Sequence, residues 1–139
     1  MQPQVDTCIS RDLIRFGLLK EGEDYFSHEE AVKYKFFESI KKYTASDEYE
    51  NIYIDATHLT PTARKYVMRC ISLSCEVIAV SFEIPLEVAL ERNSQRTGLA
   101  LVPESAIRRM RHQFIPPVLE EGFNEIWHID AEGRIRKEF

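Results

Sequence analysis

Asp12 and Arg15 stand three residues apart in the run "ISRDLIR". On a helix that spacing puts both on one face. A carboxylate there could take a proton from a hydroxyl, and the guanidinium could hold a phosphate through two parallel hydrogen bonds. The same two residues could also serve only to cap a helix and pair with each other. Asp55, Thr57 and His58 follow the short β-prone run "NIYID". Arg92 and Arg96, in "ERNSQR", are four apart and so also share a helical face. An opposing anion would satisfy them, as would Glu87 and Glu91 on the same helix.

These residues need strands and helices to position them, and the chain alternates the two. Residues 5–10 read as a strand ending at Ser10, followed by a helix over 12–20. Ser27 with Glu30 three residues on is a capping-box pattern. The helix after it carries Val32, Phe36, Ile40 and Tyr43 at helical spacing. "NIYID" (51–55) is a second strand. Thr60 can cap the next helix, with Pro61 at its first position. "CEVIAVSF" (75–82) is nearly continuous in apolar residues, as for a strand covered on both faces. "PLEVALERNSQR" and "PESAIRRMRHQF" read as Pro-initiated helices, Gly98 stopping the first. "EIWHI" (125–129) is a buried strand, and "EGRIRKEF" a polar tail or short edge strand. Alternation of this kind predicts an α/β domain with a mostly parallel sheet. In such sheets ligands bind beyond the carboxyl ends of the strands, where the charged residues above fall.

The chain has 139 residues, which suits one domain, 1–139. Eighteen basic and 23 acidic residues give a net charge of −5, which argues against broad non-specific nucleic-acid binding. Between Arg92 and Arg111, however, five arginines face one acid, Glu104. That basic segment suggests a local anionic ligand or a solvated helix face. No apolar run approaches the roughly 18 residues of a membrane span, and no signal-peptide pattern opens the chain. A cytoplasmic setting is expected. The three cysteines form no C-x-x-C pair, and Cys8 and Cys75 sit in or beside apolar runs. Buried, reduced thiols are expected. Tyr25, Phe26 and Trp127 could stack a base, although Phe26 and Trp127 read rather as core.

Asp55, at the end of an apolar strand, is placed like an acid that holds a magnesium-bound water in phosphoryl-transfer sites. Such an acid works beside a phosphate loop, G-x-x-x-x-G-K-[ST]. The chain's only candidate, "GLLKEG" (17–22), is followed by Glu23 and Asp24, whose carboxylates would repel phosphate. The 139 residues contain no such loop.

The runs "ISRDLIR", "IYIDATHLTPTAR", "ERNSQRTG" and "VPESAIRRM", in that order, resemble the phage-type polynucleotide kinase family of P-loop phosphotransferases, over nearly the whole chain. The resemblance implies transfer of the terminal phosphate of ATP, with Mg2+, to the 5′-hydroxyl of a nucleic-acid end. A nucleoside-like or small-molecule substrate is the alternative within the superfamily. It implies Asp12 as general base, and Arg15 as a contact to the substrate phosphate or the transferring group. Arg11, Thr57, His58 and Arg64 would bind substrate, with His58 replacing the family's Asn. Asp55 would hold Mg2+ indirectly, and Arg92 and Arg96 would close over the ATP phosphates. It also implies a three-layer P-loop-kinase-like parallel sheet, incomplete here, since the central first strand and its phosphate loop are absent. Three explanations are open: a missing upstream part, a degenerate paralogue acting as a non-catalytic binding domain, or a partner chain that completes the sheet. The strands at 51–55 and 75–82 would then pair directly or flank a gap.

Overall fold

The computed structural model describes residues 5–139, which fall into two compact units. One comprises the described residues up to His58 together with Lys65–Cys75; the other comprises Leu59–Arg64 and Glu76–Phe139.

The first unit holds a two-stranded parallel sheet. β1 (Asp6–Ser10) pairs with β2 (Asn51–Asp55) so that Ser10 lies beside Asp55 at the carboxyl ends. The chain leaves β1 directly into α1 (Arg11–Leu18), because the Ser10 hydroxyl caps that helix by accepting from the Leu13 N–H at 3.2 Å. Ser10→Ala is expected to cost about 1 kcal/mol, read as a lower urea midpoint. α2 (Glu29–Thr44) buries Val32, Phe36 and Ile40. Phe36 and Ile40 form the core with Ile9 of β1 and Val67 of α3 (Pro61–Cys70). Ile52 and Ile54 of β2 pack against it. One face of this sheet is therefore covered and the other is not. Cys8 and Tyr53, paired in register on the bare face, are exposed. That corrects the expectation of a buried Cys8; Cys70 and Cys75 are half-buried. The expected capping box is also absent. Ser27 donates to the Asp24 carbonyl in the preceding turn, and His28, whose side chain pairs with Glu23 and makes no cap bond, takes the cap position. Thr60 does cap α3, its hydroxyl accepting from Ala63 N–H at 3.2 Å.

The second unit holds a three-stranded sheet in the order β3 (Ile78–Glu83), β4 (Glu125–Asp130), β5 (Ile135–Glu138). β3 and β4 are parallel, with α4 (Leu86–Ser94) and α5 (Glu104–Gln113) in the crossover between them. β5 returns antiparallel, through a turn where Gly133 adopts φ +83°, a left-handed conformation that L side chains rarely take. One face, with Ser81, Ile126 and His128, is buried. On the other, Ile78, Val80, Phe82 and Ile135 are exposed, Phe82 at 64%. The apolar run that read as a doubly covered strand is thus covered on one face only, and begins at Ile78 rather than Cys75.

The α/β character and the four strand positions agree with the sequence reading, and both parallel pairs are formed. β2 and β3 belong to different sheets and do not pair directly. Among the described residues no helix is long and apolar enough to cross a membrane.

Candidate functional site

At the end of β1 the expected residues do meet. Arg15, on the inner face of α1, is buried although it carries a full charge. It is tolerated there because nearly every donor is used. Nε and Nη2 donate to the two oxygens of Glu29 at 2.6 and 3.2 Å. Nη1 donates to Asp12 Oδ1 at 2.5 Å and to the Tyr25 hydroxyl at 3.1 Å. The Tyr25 hydroxyl in turn donates to Asp12 Oδ1 at 3.2 Å. The hydrogen bond that Arg15 donates to Glu29 raises the Arg15 pKa despite burial, and the same bond holds the Glu29 carboxyl below its ordinary range. Burial first, then the charge of Asp12, pushes the Tyr25 phenol up. Asp12 itself stays open to solvent, its side chain 63% exposed. Both of its protein donors reach Oδ1; among the described residues no donor reaches Oδ2.

Arg11 differs from Arg15. It shares only the edge of Glu29, at 3.4 Å, and stands 6.0 Å from the Phe36 ring. Its buried Nε has no hydrogen-bond partner among the described residues. Arg11 therefore keeps donors to spare, while Arg15 has almost none.

Asp55 ends β2 and Thr57 follows it, both exposed, and His58 is half-buried at φ +44°, with its ring 6.4 Å from that of Phe36. Phe26, expected in the core, is 58% exposed and lies edge-on to Tyr25 at 4.8 Å. Its turn is held by the Asp24 carboxylate, which accepts from the Phe26 N–H.

A magnesium ion that keeps most of its waters needs only one or two protein carboxylates. Asp55 can supply one. Among the described residues no group of three or more His, Cys, Asp or Glu side chains is arranged to hold a metal ion. A nucleotide's phosphates need a glycine-rich turn that leads into a helix. Gly17 lies inside α1, and Gly22 (φ +82°) precedes further turns rather than a helix start. These residues fit an outer contact to the metal and do not form the phosphate cradle.

The remaining expected residues belong to the second unit. Arg64 is buried and bound bidentately to Glu121, Nε to Oε1 at 2.7 Å and Nη2 to Oε2 at 3.1 Å. Burial pushes the Glu121 carboxyl up, but the bonds from Arg64 and the Val118 N–H outweigh it and leave it lowered. Arg92 lies in the last turn of α4 and donates to the Ala131 carbonyl at 3.1 Å. Arg96 lies beyond the helix, so the two arginines do not share one helical face. The reason is Asn93, which the sequence reading passed over. Its buried amide binds both the N–H and the carbonyl of Val102, at 3.0 and 2.7 Å, and that loop-back ends the helix before Gly98 is reached. Glu29 and Tyr25 also escaped notice as partners of Arg15. Nothing local marks them, because they lie 14 and 10 residues away and a helix-start glutamate reads as an ordinary first-turn acid.

No curated protein matches the chain. A family model described as an AAA domain matches residues 1–117, a span that holds β1, the Asp12–Arg15 cluster, β2 and both arginine-bearing helices. The chain belongs to the AAA domain family of P-loop nucleotide-binding proteins.

Proposed function

We propose that the chain carries the substrate side of an ATP-dependent phosphotransferase acting on the 5′-hydroxyl of a nucleic-acid end. The observation that carries this reading is the state of Asp12. One carboxylate oxygen is fixed by Arg15 and Tyr25, and the other has no donor among the described residues on a largely exposed side chain. A base so oriented can take the proton of a hydroxyl presented to Oδ2. Arg11, with unused donors, is the better candidate for the substrate's phosphate, and Arg15 acts as the clamp that orients Asp12. Thr57 and His58 would line the substrate side, Asp55 would hold magnesium through water, and Arg92 and Arg96 would approach the ATP phosphates. The phosphate loop would come from a further segment or a partner chain. β2 and β3 each keep an edge that no described strand pairs, and a strand–loop–helix unit could add to either.

The lack of a G-x-x-x-x-G-K-[ST] run favours a second reading, a non-catalytic domain that binds a nucleic-acid end or a partner. Calorimetric titration separates the two. Mg·ATP binding of about micromolar strength, with label transferred from ATP to a 5′-hydroxyl oligonucleotide, is the expected result for the first. Heat from the oligonucleotide alone, with Mg·ATP silent, supports the second. Transfer to nucleosides but not to oligonucleotides would move the substrate to the small-molecule class.

A further inference from the structure

His128 of β4 is buried, and the proposed transfer makes no use of it. Both of its ring nitrogens meet carboxylates. Nδ1 lies 2.7 Å from Glu83 Oε1 on β3, and Nε2 lies 3.1 Å from Glu138 Oε2 on β5. A carboxylate ion can only accept, so each contact needs an N–H on the ring. A neutral imidazole has one N–H, and the imidazolium has two. The arrangement is therefore complete only when the ring carries its second proton. The charges around it are mixed. On β5, Arg136 is the register partner of His128 and lies 3.8 Å from Glu83. Arg108, Arg111 and His112 of α5 line an open cleft together with Glu83. Asp130, two residues along β4, is taken by Arg134. Ser81, the register partner on β3, carries no charge. Glu138 has no cation besides His128 among the described residues. A ring that loses its second proton keeps one bond. The contact to Glu83 is the shorter, and β3 pairs with β4 over six residues against four for β5. The lone pair left on Nε2 then faces the Glu138 carboxylate, and the two acceptors repel. The exposed strand β5 is the element that gives way.

We propose that His128 is a proton-operated clasp: its imidazolium ties β5 to β3 and β4, and loss of the proton loosens β5. The direction follows from proton counting. The fastened strand needs a proton that the released strand does not, so acid favours fastening and rising pH opposes it. Histidine is the side chain whose charge ordinarily changes between about pH 5 and 8, which makes such a clasp responsive near neutrality.

The test is deuterium uptake by the full chain, read on the peptides carrying β3 and β5 at about pH 5.5 and about pH 8.5. Labelling times are scaled to the intrinsic exchange rate at each pH. Protection of β5 is expected to fall at least about tenfold at the higher pH, the factor for one hydrogen bond to a charged group, while β3 changes by less than about twofold. Glu138→Gln is the deciding variant. Its amide can donate to the bare Nε2 of a neutral ring or accept from the imidazolium, so β5 is expected to stay protected at both pH values. The side chain is partly exposed and keeps its shape, so the variant is expected to fold; protection of β3 checks this. Three outcomes overturn the clasp. They are β5 protection that does not change with pH in the natural chain, equal loss from β3 and β5, and a Glu138→Gln chain whose β5 still loosens with pH or is loose at both values.

Discussion

Glu121→Ala is expected to lower the unfolding free energy by about 3 kcal/mol and the urea midpoint by about 1–2 M. The substitution leaves the Arg64 guanidinium, 6% exposed, without its bidentate counter-charge, and the Val118 N–H without its acceptor. Removing a bidentate counter-charge from a buried cation costs more than the intact pair contributes, and this asymmetry sets the size of the effect. Glu121→Gln keeps one acceptor oxygen but sets an amide NH2 against one of the Arg64 donors, and is expected to lose somewhat less than Glu121→Ala. The pair also fixes a pH dependence. Glu121 and Glu29 titrate below their ordinary value when folded, so each binds its proton less readily in the native state than in the unfolded one. Their stabilisation is therefore present above the unfolded value of about 4.3 and is lost as pH falls through the lower folded value. Urea midpoints measured from pH 6 to pH 3 should fall on the acid side, and less steeply in Glu121→Gln.

Asp12→Asn is the second large effect. In the transfer assay it is expected to lower kcat by about 10²–10⁴-fold, with little change in KM for the oligonucleotide. The amide cannot take the hydroxyl proton, yet it has the same shape and can still accept from Tyr25. Arg15 stays anchored by Glu29, so the corner of α1 keeps its geometry. Tyr25→Phe is the informative companion. It removes the phenol that links Arg15 to Asp12, and a loss of about tenfold or less is expected if Tyr25 only orients the carboxylate. A kcat unchanged in Asp12→Asn would remove Asp12 from the chemistry and leave it as a surface partner of Arg15.

Periodicity and turn chemistry placed β1, β2, β4 and the helix containing Phe36 and Ile40 within a few residues, because those signals are local. The Asp12–Arg15 pair was legible for the same reason. What Arg15 does was not. A buried arginine needs several acceptors, and the chain supplies Glu29 and Tyr25 from elements whose meeting depends on the fold. Arg64 shows the same limit, since its partner lies 57 residues away. The apolar run at 75–82 misled in the opposite direction. Hydrophobicity marks what a strand can bury, and β3 presents three of its apolar side chains to solvent.

Trp127 is the chain's single tryptophan, and it lies on β4 with its Nε1–H donating to Glu125 at 2.6 Å and the Lys137 ammonium 4.2 Å above its ring. Indole emission therefore reports one place, the pairing of β4 with β5. An unfolding curve followed by that emission will register Glu121→Gln, whose pair lies in the same unit, through a local optical change. Ser10→Ala and other changes around Asp12 lie in the unit without a tryptophan, and they call for a backbone signal such as far-ultraviolet dichroism. Comparing the two signals over one denaturant series would show whether the two units melt as one cooperative body or in separate steps.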